Sequence, residues 1–264
     1  MPEGDTVWLS ARRMHAALAG RVLTTSDFRV PQLATTDLTG RSVLEVVSRG
    51  KHLLTRIDGG LTLHTHFRMD GSWRLFPAGR AWSGGADWQV RVVLANDDWQ
   101  AVGYRLPVVD LVETAVEDQL VGHLGPDLLG PDWDRDEAVR RLAADPGRTI
   151  GEALLDQRNL AGVGNLYKSE GLFLRGLHPW TPVGGVDDLP ALVSLEHRLL
   201  LANRDRWDQV TTGDLRRGRQ HWVFERQREA CRRCAATIRV AEQGADPLTA
   251  RLTYWCPRCQ PDRR

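Results

Sequence analysis

Four cysteines restrict the fold of this chain more than any other feature of its sequence. They form two Cys-x-x-Cys pairs, Cys231 with Cys234 and Cys256 with Cys259, and 21 residues separate the pairs. Paired cysteines at such spacing are the ligand set of a tetrahedral structural zinc ion, and the segments between them alternate like strands. Four protein ligands would fill the coordination sphere, so we expect one structural Zn²⁺ in a zinc ribbon over residues 226–264. Two disulfides are the alternative, which a reducing cytoplasm disfavours.

The chain before the ribbon divides into a β-rich part and a helical part. Residues 3–18 carry apolar side chains at helical spacing, and residues 21–113 consist of short runs rich in Val, Leu, Thr and Trp, broken by glycines. We therefore predict an α+β fold that begins with a helix and an antiparallel β-sandwich over residues 1–121. Glycine and proline cluster at 122–133, which predicts a linker, and helical patterns predict a helical domain over 134–225.

A glycine-rich turn lies between two of the predicted helices. The segment RNLAGVGN, residues 158–165, separates TIGEALLDQ from the helical pattern that starts at Asn165. Such a helix–two-turn–helix presents backbone N–H groups at a helix N-terminus, which suits a phosphate. Asn165 is a candidate N-cap or phosphate donor. The alternative is a turn that only packs two helices together.

Charge and hydropathy limit the partners and the location. The net charge is +1, but residues 216–239 contain RRGRQ, ERQRE and CRRC. This basic segment could neutralise phosphates, or it could be an ordinary solvated surface. The sequence contains neither an apolar run long enough to span a membrane nor a signal-peptide pattern at its N-terminus, so we expect a cytoplasmic protein without a membrane partner.

The N-terminus carries a candidate nucleophile. Removal of Met1 would expose the secondary amine of Pro2, and an α-amino group has a pKa of about 7.7–8.0, so a sizeable fraction is unprotonated at neutral pH. An unprotonated amine can attack an electrophilic carbon, and Glu3 could move protons beside it. The alternative is a Met-Pro-Glu start without chemistry. The chain has only two lysines, Lys51 and Lys168.

The whole chain resembles the formamidopyrimidine-DNA glycosylase and endonuclease VIII family. The resemblance rests on MPEG at 1–4, RGKHLLT at 49–55, GPDLL at 125–129, LLDQ–LAGVGN from 154 to 165 and YWCPRCQ at 254–260. It implies a bifunctional DNA glycosylase and abasic-site lyase of base excision repair. The expected partner is double-stranded DNA with damaged bases or abasic sites, bound by a monomer in the bacterial cytoplasm and nucleoid.

The resemblance also implies roles for single residues. Pro2 matches the nucleophile that attacks the anomeric carbon of a flipped-out nucleotide and forms a Schiff base, and Glu3 matches its proton shuttle. Lys51 matches a lysine that holds phosphate and assists catalysis, and Asn165 matches a phosphate-contacting asparagine. Arg251 matches an arginine that grips phosphate and aids the second step of a β,δ-elimination. Asp5 and Thr6 depart from the usual Pro-Glu of the family, which puts rate and substrate range in doubt.

Further DNA contacts are expected from the endonuclease VIII branch. Residues 66–71 match the loop that wedges into the DNA stack, with Met69 as the apolar intercalator. Arg68 and His123 fall near two further DNA-contacting positions of that branch, although Arg68 replaces a glutamine. The alternative for Met69 is a place in the core.

Two absences bear on the substrate. The stretch YRLPVVDL, residues 104–111, lacks the arginine and phenylalanine that the 8-oxoguanine branch supplies there, and residues 211–223 leave little room for a purine-capping loop. We therefore expect excision of oxidised pyrimidines. The alternatives are an 8-oxoguanine or formamidopyrimidine glycosylase of the same family and a catalytically silent protein that binds damaged DNA.

Overall fold

The computed structural model describes residues 2–83, 85–244 and 250–262. The chain forms two compact units, residues 1–123 and residues 124–264.

The first unit is a helix packed with two antiparallel sheets. Helix α1 spans Gly4–Leu18, close to the predicted range, and the short helix α2 spans Asp118–Val121. The strands are β1 (Arg21–Val22), β2 (Thr25–Phe28), β3 (Ser42–Arg49), β4 (His52–Ile57), β5 (Leu61–His66), β6 (Ser72–Pro77), β7 (Val90–Ala95), β8 (Trp99–Tyr104) and β9 (Val108–Glu113). One sheet has the order β1-β3-β4-β5-β9 and the other β2-β7-β8-β6.

The core of this unit explains why segments of alternating apolar and polar residues form a sandwich. Side chains from α1 and from both sheets share one apolar cluster, with Leu18, Val43, Leu53, Leu63 and Val92 almost fully buried. Along each strand, alternate residues point to opposite faces, so one face enters this cluster while polar residues stay on the other. The predicted antiparallel sandwich is confirmed.

The second unit combines helices with a two-stranded sheet. The helices are α3 (Arg135–Ala143), α4 (Ile150–Leu155), α5 (Asn165–Arg175) and α6 (Leu189–Asn203), and strands β10 (Arg239–Gln243) and β11 (Arg251–Trp255) pair antiparallel. Asp134 caps α3 and Asp188 caps α6 by accepting backbone N–H bonds, which satisfies donors that have no partner inside the helix. In the described residues, no helix is long and apolar enough to cross a membrane.

One apolar core joins the helices to the cysteine region. Leu154, Tyr167 and Phe173 are fully buried in the same cluster that contains Cys231 and Cys256. The helical segment and the cysteine region therefore pack together. Their division into separate domains at residue 225 stays a prediction.

The segment 122–133 differs from the predicted linker. Most of it belongs to the second unit, where Leu128 is fully buried in the core. Backbone bonds hold it along the glycine-rich turn, from the Gly125 N–H to the Gln157 carbonyl (2.8 Å) and from the Ala161 N–H to the Pro126 carbonyl (2.9 Å). The glycines and prolines therefore mark irregular packed backbone, whose hydrogen bonds are made to another turn.

Candidate functional site

The chain start is held against the first turn of α1. Pro2 is half-buried, and Glu3 is the N-cap residue of the helix, with its side chain fully buried. The Glu3 carbonyl accepts the Val7 N–H at 3.1 Å, so the backbone directly after Pro2 is fixed by the helix. Asp5, where the sequence departs from the family pattern, is also fully buried in this first turn, where a carboxylate suits the positive end of the helix dipole. Removal of Met1 would therefore place a secondary amine beside a buried carboxyl group.

Lys51 occupies a tight hairpin. Arg49 and His52 pair across β3 and β4, so Gly50 and Lys51 form the connection, and Gly50 has a φ of +56°. A left-handed residue is needed at such a two-residue turn, and glycine adopts it without strain. Lys51 is half-buried beside the histidines at this end of the sheet.

The predicted wedge loop presents an exposed methionine. Phe67 is buried, whereas the Met69 side chain is 57% exposed, so the alternative of a core methionine is wrong. Between them Arg68 adopts a φ of +47°, and its N–H donates to Nδ1 of His66 at 3.0 Å. A side chain on Gly71 would meet the Phe67 carbonyl at 2.7 Å, so only glycine closes this loop. The loop is a tight turn with an apolar tip.

A row of histidines lies next to this loop and could not be recognised from the sequence. The His64 Nδ1–H faces Asp110 Oδ2 at 3.2 Å, and His64 Nε2 lies 2.9 Å from His52 Nδ1. His66 contacts the His52 ring edge-on, with a centroid distance of 4.8 Å. The alternation in LTLHTH places His64 and His66 on one face, but Asp110 comes from β9, so only the sheet pairing reveals the chain of contacts.

Burial lowers the pKa of each of these rings, which favours the neutral imidazole. Burial, followed by the charges of the neighbouring His66, His64, His123 and Lys51, lowers the pKa of His52 to about 3. Burial, followed by the charge of Lys51, lowers the pKa of His66 to about 4. His123 is exposed, and its ring lies 6.3 Å from that of His52. The first unit thus brings Lys51, His123 and the wedge loop around one histidine cluster.

In the second unit the glycine-rich turn is built largely as expected. Gly162 has a φ of +113°, and its N–H donates to the Gln157 side chain at 3.0 Å. The N-cap of α5 is Gly164, however, and Asn165 is the first helical residue, so the N-cap alternative for Asn165 is wrong. Its Nδ2 donates to the Leu252 carbonyl at 2.8 Å, next to Arg251 on β11. Asn165 Oδ1 is buried and has no hydrogen-bond partner in the described residues.

Glu170 is a second feature that the sequence did not reveal. Its fully buried carboxylate accepts the Val223 and Phe224 N–H groups at 2.8 and 2.9 Å through Oε1. Its Oε2 accepts the Trp222 N–H at 2.8 Å and the Thr211 hydroxyl. A single side chain of α5 thereby holds both ends of the 211–224 segment, the segment whose shortness bears on the substrate.

Lys168 also connects α5 to the ribbon hairpin. It is fully buried, and its Nζ donates to Thr253 Oγ1 at 2.6 Å. The Thr253 hydroxyl faces Gln243 Oε1 at 3.0 Å, and Gln243 Nε2 donates to the Pro179 carbonyl at 2.8 Å. This polar chain fixes the hairpin that carries Arg251 against the helix that starts at Asn165.

The four cysteines converge on one point. Their sulfur atoms all lie within 4.8 Å of one another, with 3.4 Å between Cys234 and Cys256 and 3.9 Å between Cys231 and Cys259. Metal–sulfur bonds of about 2.3 Å in a tetrahedron place the sulfurs about 3.8 Å apart, so the donor set fits a metal ion. All four cysteines are free thiols, so the disulfide alternative is wrong. Arg251 is exposed at the start of β11.

Comparison with known proteins gives full-length relatives. Residues 1–107 match the family described as formamidopyrimidine-DNA glycosylase N-terminal domain, and residues 124–188 match the formamidopyrimidine-DNA glycosylase H2TH domain. The chain is 61% identical to "Probable endonuclease 8 2" of Streptomyces coelicolor, over 98% of this chain and 94% of that protein. It is 45% identical to "DNA-(apurinic or apyrimidinic site) lyase Nei2" of Mycolicibacterium smegmatis, over 98% and 99%.

A solved structure shares the fold. Lactococcus lactis Fpg, in complex with DNA containing an abasic site, matches 98% of this chain and 100% of that chain with a TM-score of 0.80 at 22% identity. The sandwich, the glycine-rich turn between α4 and α5 and the four-cysteine cluster agree with this architecture. The chain therefore belongs to the formamidopyrimidine-DNA glycosylase and endonuclease VIII family.

Proposed function

We propose that this chain is a bifunctional DNA glycosylase and abasic-site lyase of base excision repair. The observation that carries the proposal is the pair Pro2 and Glu3, a candidate secondary amine beside a fully buried carboxyl group at the start of α1. Relatives of the whole chain that are named endonuclease 8 and abasic-site lyase support the same activity. Binding alone would need neither residue, which argues against a silent DNA-binding protein.

In the proposed reaction, Pro2 acts after removal of Met1. Its unprotonated nitrogen attacks the anomeric carbon of a flipped-out nucleotide while the bond to the damaged base breaks, and the base leaves as an anion that takes a proton from water. The Pro2 nitrogen then loses its own proton, which Glu3 passes to the ring oxygen as the ring opens to a Schiff base between Pro2 and the sugar. Loss of two sugar protons then expels the phosphate on each side, which leaves a one-nucleotide gap.

The remaining predicted residues are assigned to DNA. Lys51, Asn165 and Arg251 bind phosphates around the lesion, which positions the sugar without reading sequence. Their placement on a hairpin turn, at a helix N-terminus and on an exposed strand suits this role. Met69, exposed at the tip of its loop, fills the space left by the flipped base, and Arg68 and His123 contact the neighbouring strand.

Oxidised pyrimidines are the proposed substrates. Residues 104–111 lack the arginine and phenylalanine expected of a purine-specific enzyme, and Glu170 ties down both ends of the short 211–224 segment. A short segment that is held at both ends has too little conformational freedom to fold over a purine. An 8-oxoguanine or formamidopyrimidine glycosylase remains the second candidate, since it would use the same Pro2 chemistry.

A single zinc ion is the proposed metal. Cys231, Cys234, Cys256 and Cys259 would supply four thiolates, a closed donor set that suits zinc in a structural role. The ion would stabilise the hairpin that carries Arg251 and would take no part in the reaction. We further propose that the protein works as a monomer on double-stranded DNA in the bacterial cytoplasm.

Covalent trapping tests this function. Purified protein is incubated with duplexes carrying thymine glycol, 8-oxoguanine or an abasic site, and borohydride is added to reduce the Schiff base. We expect trapping on thymine glycol that is lost in Pro2→Gly and strongly reduced in Glu3→Gln, with Glu137→Gln, a surface carboxylate, as the matched control. Mass spectrometry establishes whether Pro2 is the N-terminal residue.

Each other outcome corrects a different part of the proposal. Stronger cleavage of 8-oxoguanine would keep the mechanism and reverse the substrate assignment. Absence of trapping on every substrate, with Pro2 exposed and DNA binding intact, would establish the silent DNA-binding alternative.

A further inference from the structure

An open cavity of about 610 Å³ lies on the second unit, among residues without a role in the proposed reaction. Its walls include Trp180 and His178 from the turn after α5, and Arg239 and Trp255 from the ribbon hairpin. The aromatic rings contact one another, with centroid distances of 5.0 Å between Trp180 and Trp255 and 5.4 Å between His178 and Trp180. The cavity is thus an aromatic surface that is open to solvent.

The two tryptophans are not explained by folding alone. Both are half-buried, and neither belongs to the apolar core of the second unit. In the part of the chain that the structure describes, neither indole N–H donates a hydrogen bond. Tryptophan with an available N–H and an exposed ring face is typical of surfaces that bind a partner.

An unpaired strand edge runs beside this cavity. The backbone N–H and carbonyl of Ile238 point away from β11. The N–H donates to the Glu229 carbonyl and the carbonyl accepts the Arg228 N–H, both at 3.0 Å. Backbone groups alternate sides along an antiparallel strand, so those of Val240 and Glu242 also face outward. Among the described residues these outward groups have no hydrogen-bond partner. The outer edge of the chain is therefore paired at Ile238 and open at Val240 and Glu242 of β10.

Two of the side chains that line the cavity come from the same strand as the open edge. Arg239 and Ala241 face the cavity, and Arg239 lies opposite Trp255 in the hairpin. An extended peptide that paired with Val240 and Glu242 would place its own alternate side chains on this face, next to the tryptophans. Pairing with backbone and insertion of an anchor into a pocket are the two parts of strand addition.

We propose that β10 and the Trp180–Trp255 cavity form a docking site for an extended peptide of a partner protein. The peptide adds as a strand to β10, inserts an aromatic or proline side chain against the tryptophans, and places an acidic side chain near Arg239. A nucleic acid strand fits less well, because its sugar–phosphate backbone lacks the regularly spaced N–H and carbonyl groups that pair with a strand edge.

Selection of peptides on the zinc-loaded full-length protein tests the proposal. The probe is a phage-displayed library of random linear dodecapeptides, and the affinities of enriched peptides are measured by calorimetry. We expect enriched peptides to carry an aromatic or proline residue close to an acidic one. Trp180→Ala should weaken their binding at least about tenfold, as for a central aromatic anchor, whereas Trp88→Ala, an exposed tryptophan of the first unit, should not.

The strand edge is tested separately. Val240→Pro removes an outward N–H without removing a bond of the β10–β11 ladder, so the hairpin should fold and peptide binding should fall. If this variant loses its zinc or its thermal transition, N-methylation of alternate amides in the bound peptide tests the same pairing on the native protein. Equal affinity for methylated and unmethylated peptides would overturn strand addition.

Two further results would overturn the docking site itself. One is a selection that enriches the same peptides on Trp180→Ala as on the native chain, or none on either. The other is a single-stranded oligonucleotide that displaces the peptides and loses affinity in Trp180→Ala, which would make the cavity a nucleic-acid contact. Trapping of damaged DNA through Pro2 is measured alongside and should be unchanged in Trp180→Ala.

Discussion

Replacing Glu170 by glutamine changes only one acceptor atom, yet we expect it to destabilise the second unit strongly. Each carboxylate oxygen of Glu170 accepts two hydrogen bonds from the 211–224 segment. Glutamine must direct an NH₂ group at one of these pairs of donors. In the better orientation the NH₂ faces the Trp222 N–H and the Thr211 hydroxyl, which can rotate to accept, so one backbone N–H loses its acceptor.

The expected magnitude follows from these contacts. A buried donor without a partner costs about 1–3 kcal/mol, and two remaining bonds each lose about 1 kcal/mol when their acceptor loses its charge. The sum is about 3–5 kcal/mol. For a unit of this size, 1 kcal/mol lowers the melting temperature by about 2–4 °C, so Glu170→Gln should melt about 6–20 °C below the native protein.

Thermal unfolding of the zinc-loaded protein, followed by circular dichroism, measures the effect. Glu137→Gln is the matched control, because among the described residues the Glu137 carboxylate pairs with Arg140 and Arg141 at the surface of α3, and such surface pairs contribute little. Limited proteolysis should show faster cleavage within residues 211–224 in Glu170→Gln. A melting temperature equal to that of Glu137→Gln would refute the argument that the carboxylate holds this segment.

Four further predictions concern other groups of the two units. His52 keeps a pKa of about 3 when folded against an ordinary 6.5, so the unfolded chain binds a proton first as pH falls. The free energy of unfolding should then fall below pH 6.5 by up to about 1.4 kcal/mol per pH unit. In urea melts at several pH values, His52→Gln should lose less of this free energy per pH unit than the native protein; an equal loss in both contradicts the prediction. Chelation of zinc, or Cys256→Ser, should abolish the transition of the second unit and DNA binding, measured by calorimetry and fluorescence anisotropy; retained binding argues against a structural metal. Met69→Ala should weaken binding to lesion-containing duplex about tenfold or more, but not to single-stranded abasic DNA, and equal losses would exclude a wedge. Lys168→Met should lower the urea midpoint because Thr253 loses its buried donor, and an unchanged midpoint would exclude this link.

Much of the fold was predictable because it depends on local patterns. Three patterns each predict one structure. Apolar residues at helical spacing before residue 18 predict a helix, alternating residues predict the strands of the sandwich, and the two cysteine pairs predict a metal site. The segment 122–133 shows the limit of such patterns. Glycine and proline reveal irregular backbone, but only the bonds from residues 125 and 126 to the distant turn show that this backbone is packed.

The parts of the site that escaped prediction depend on contacts between distant residues. Glu170 lies within an ordinary helical pattern, and its role appears only when residues 211–224 return to it. The contact of His64 with Asp110 requires the pairing of β5 with β9. Asn165 was a plausible cap by its type, but the Leu252 carbonyl of the hairpin takes its amide. The chemistry of a residue can be read locally, whereas its partner is set by the tertiary fold.

The scarcity of lysine gives this protein an unusual profile toward amine-selective labelling reagents. Lys168 is sealed in the interior with its ammonium on Thr253, so an acylating reagent cannot reach it in the native state. Lys51, half-buried at its hairpin, and the α-amino group are then the remaining aliphatic amines. Brief acylation at neutral pH would favour the less basic α-amino group. Peptide mapping of the acylated protein, with and without DNA, would thus report protection of two candidate site groups without any substitution.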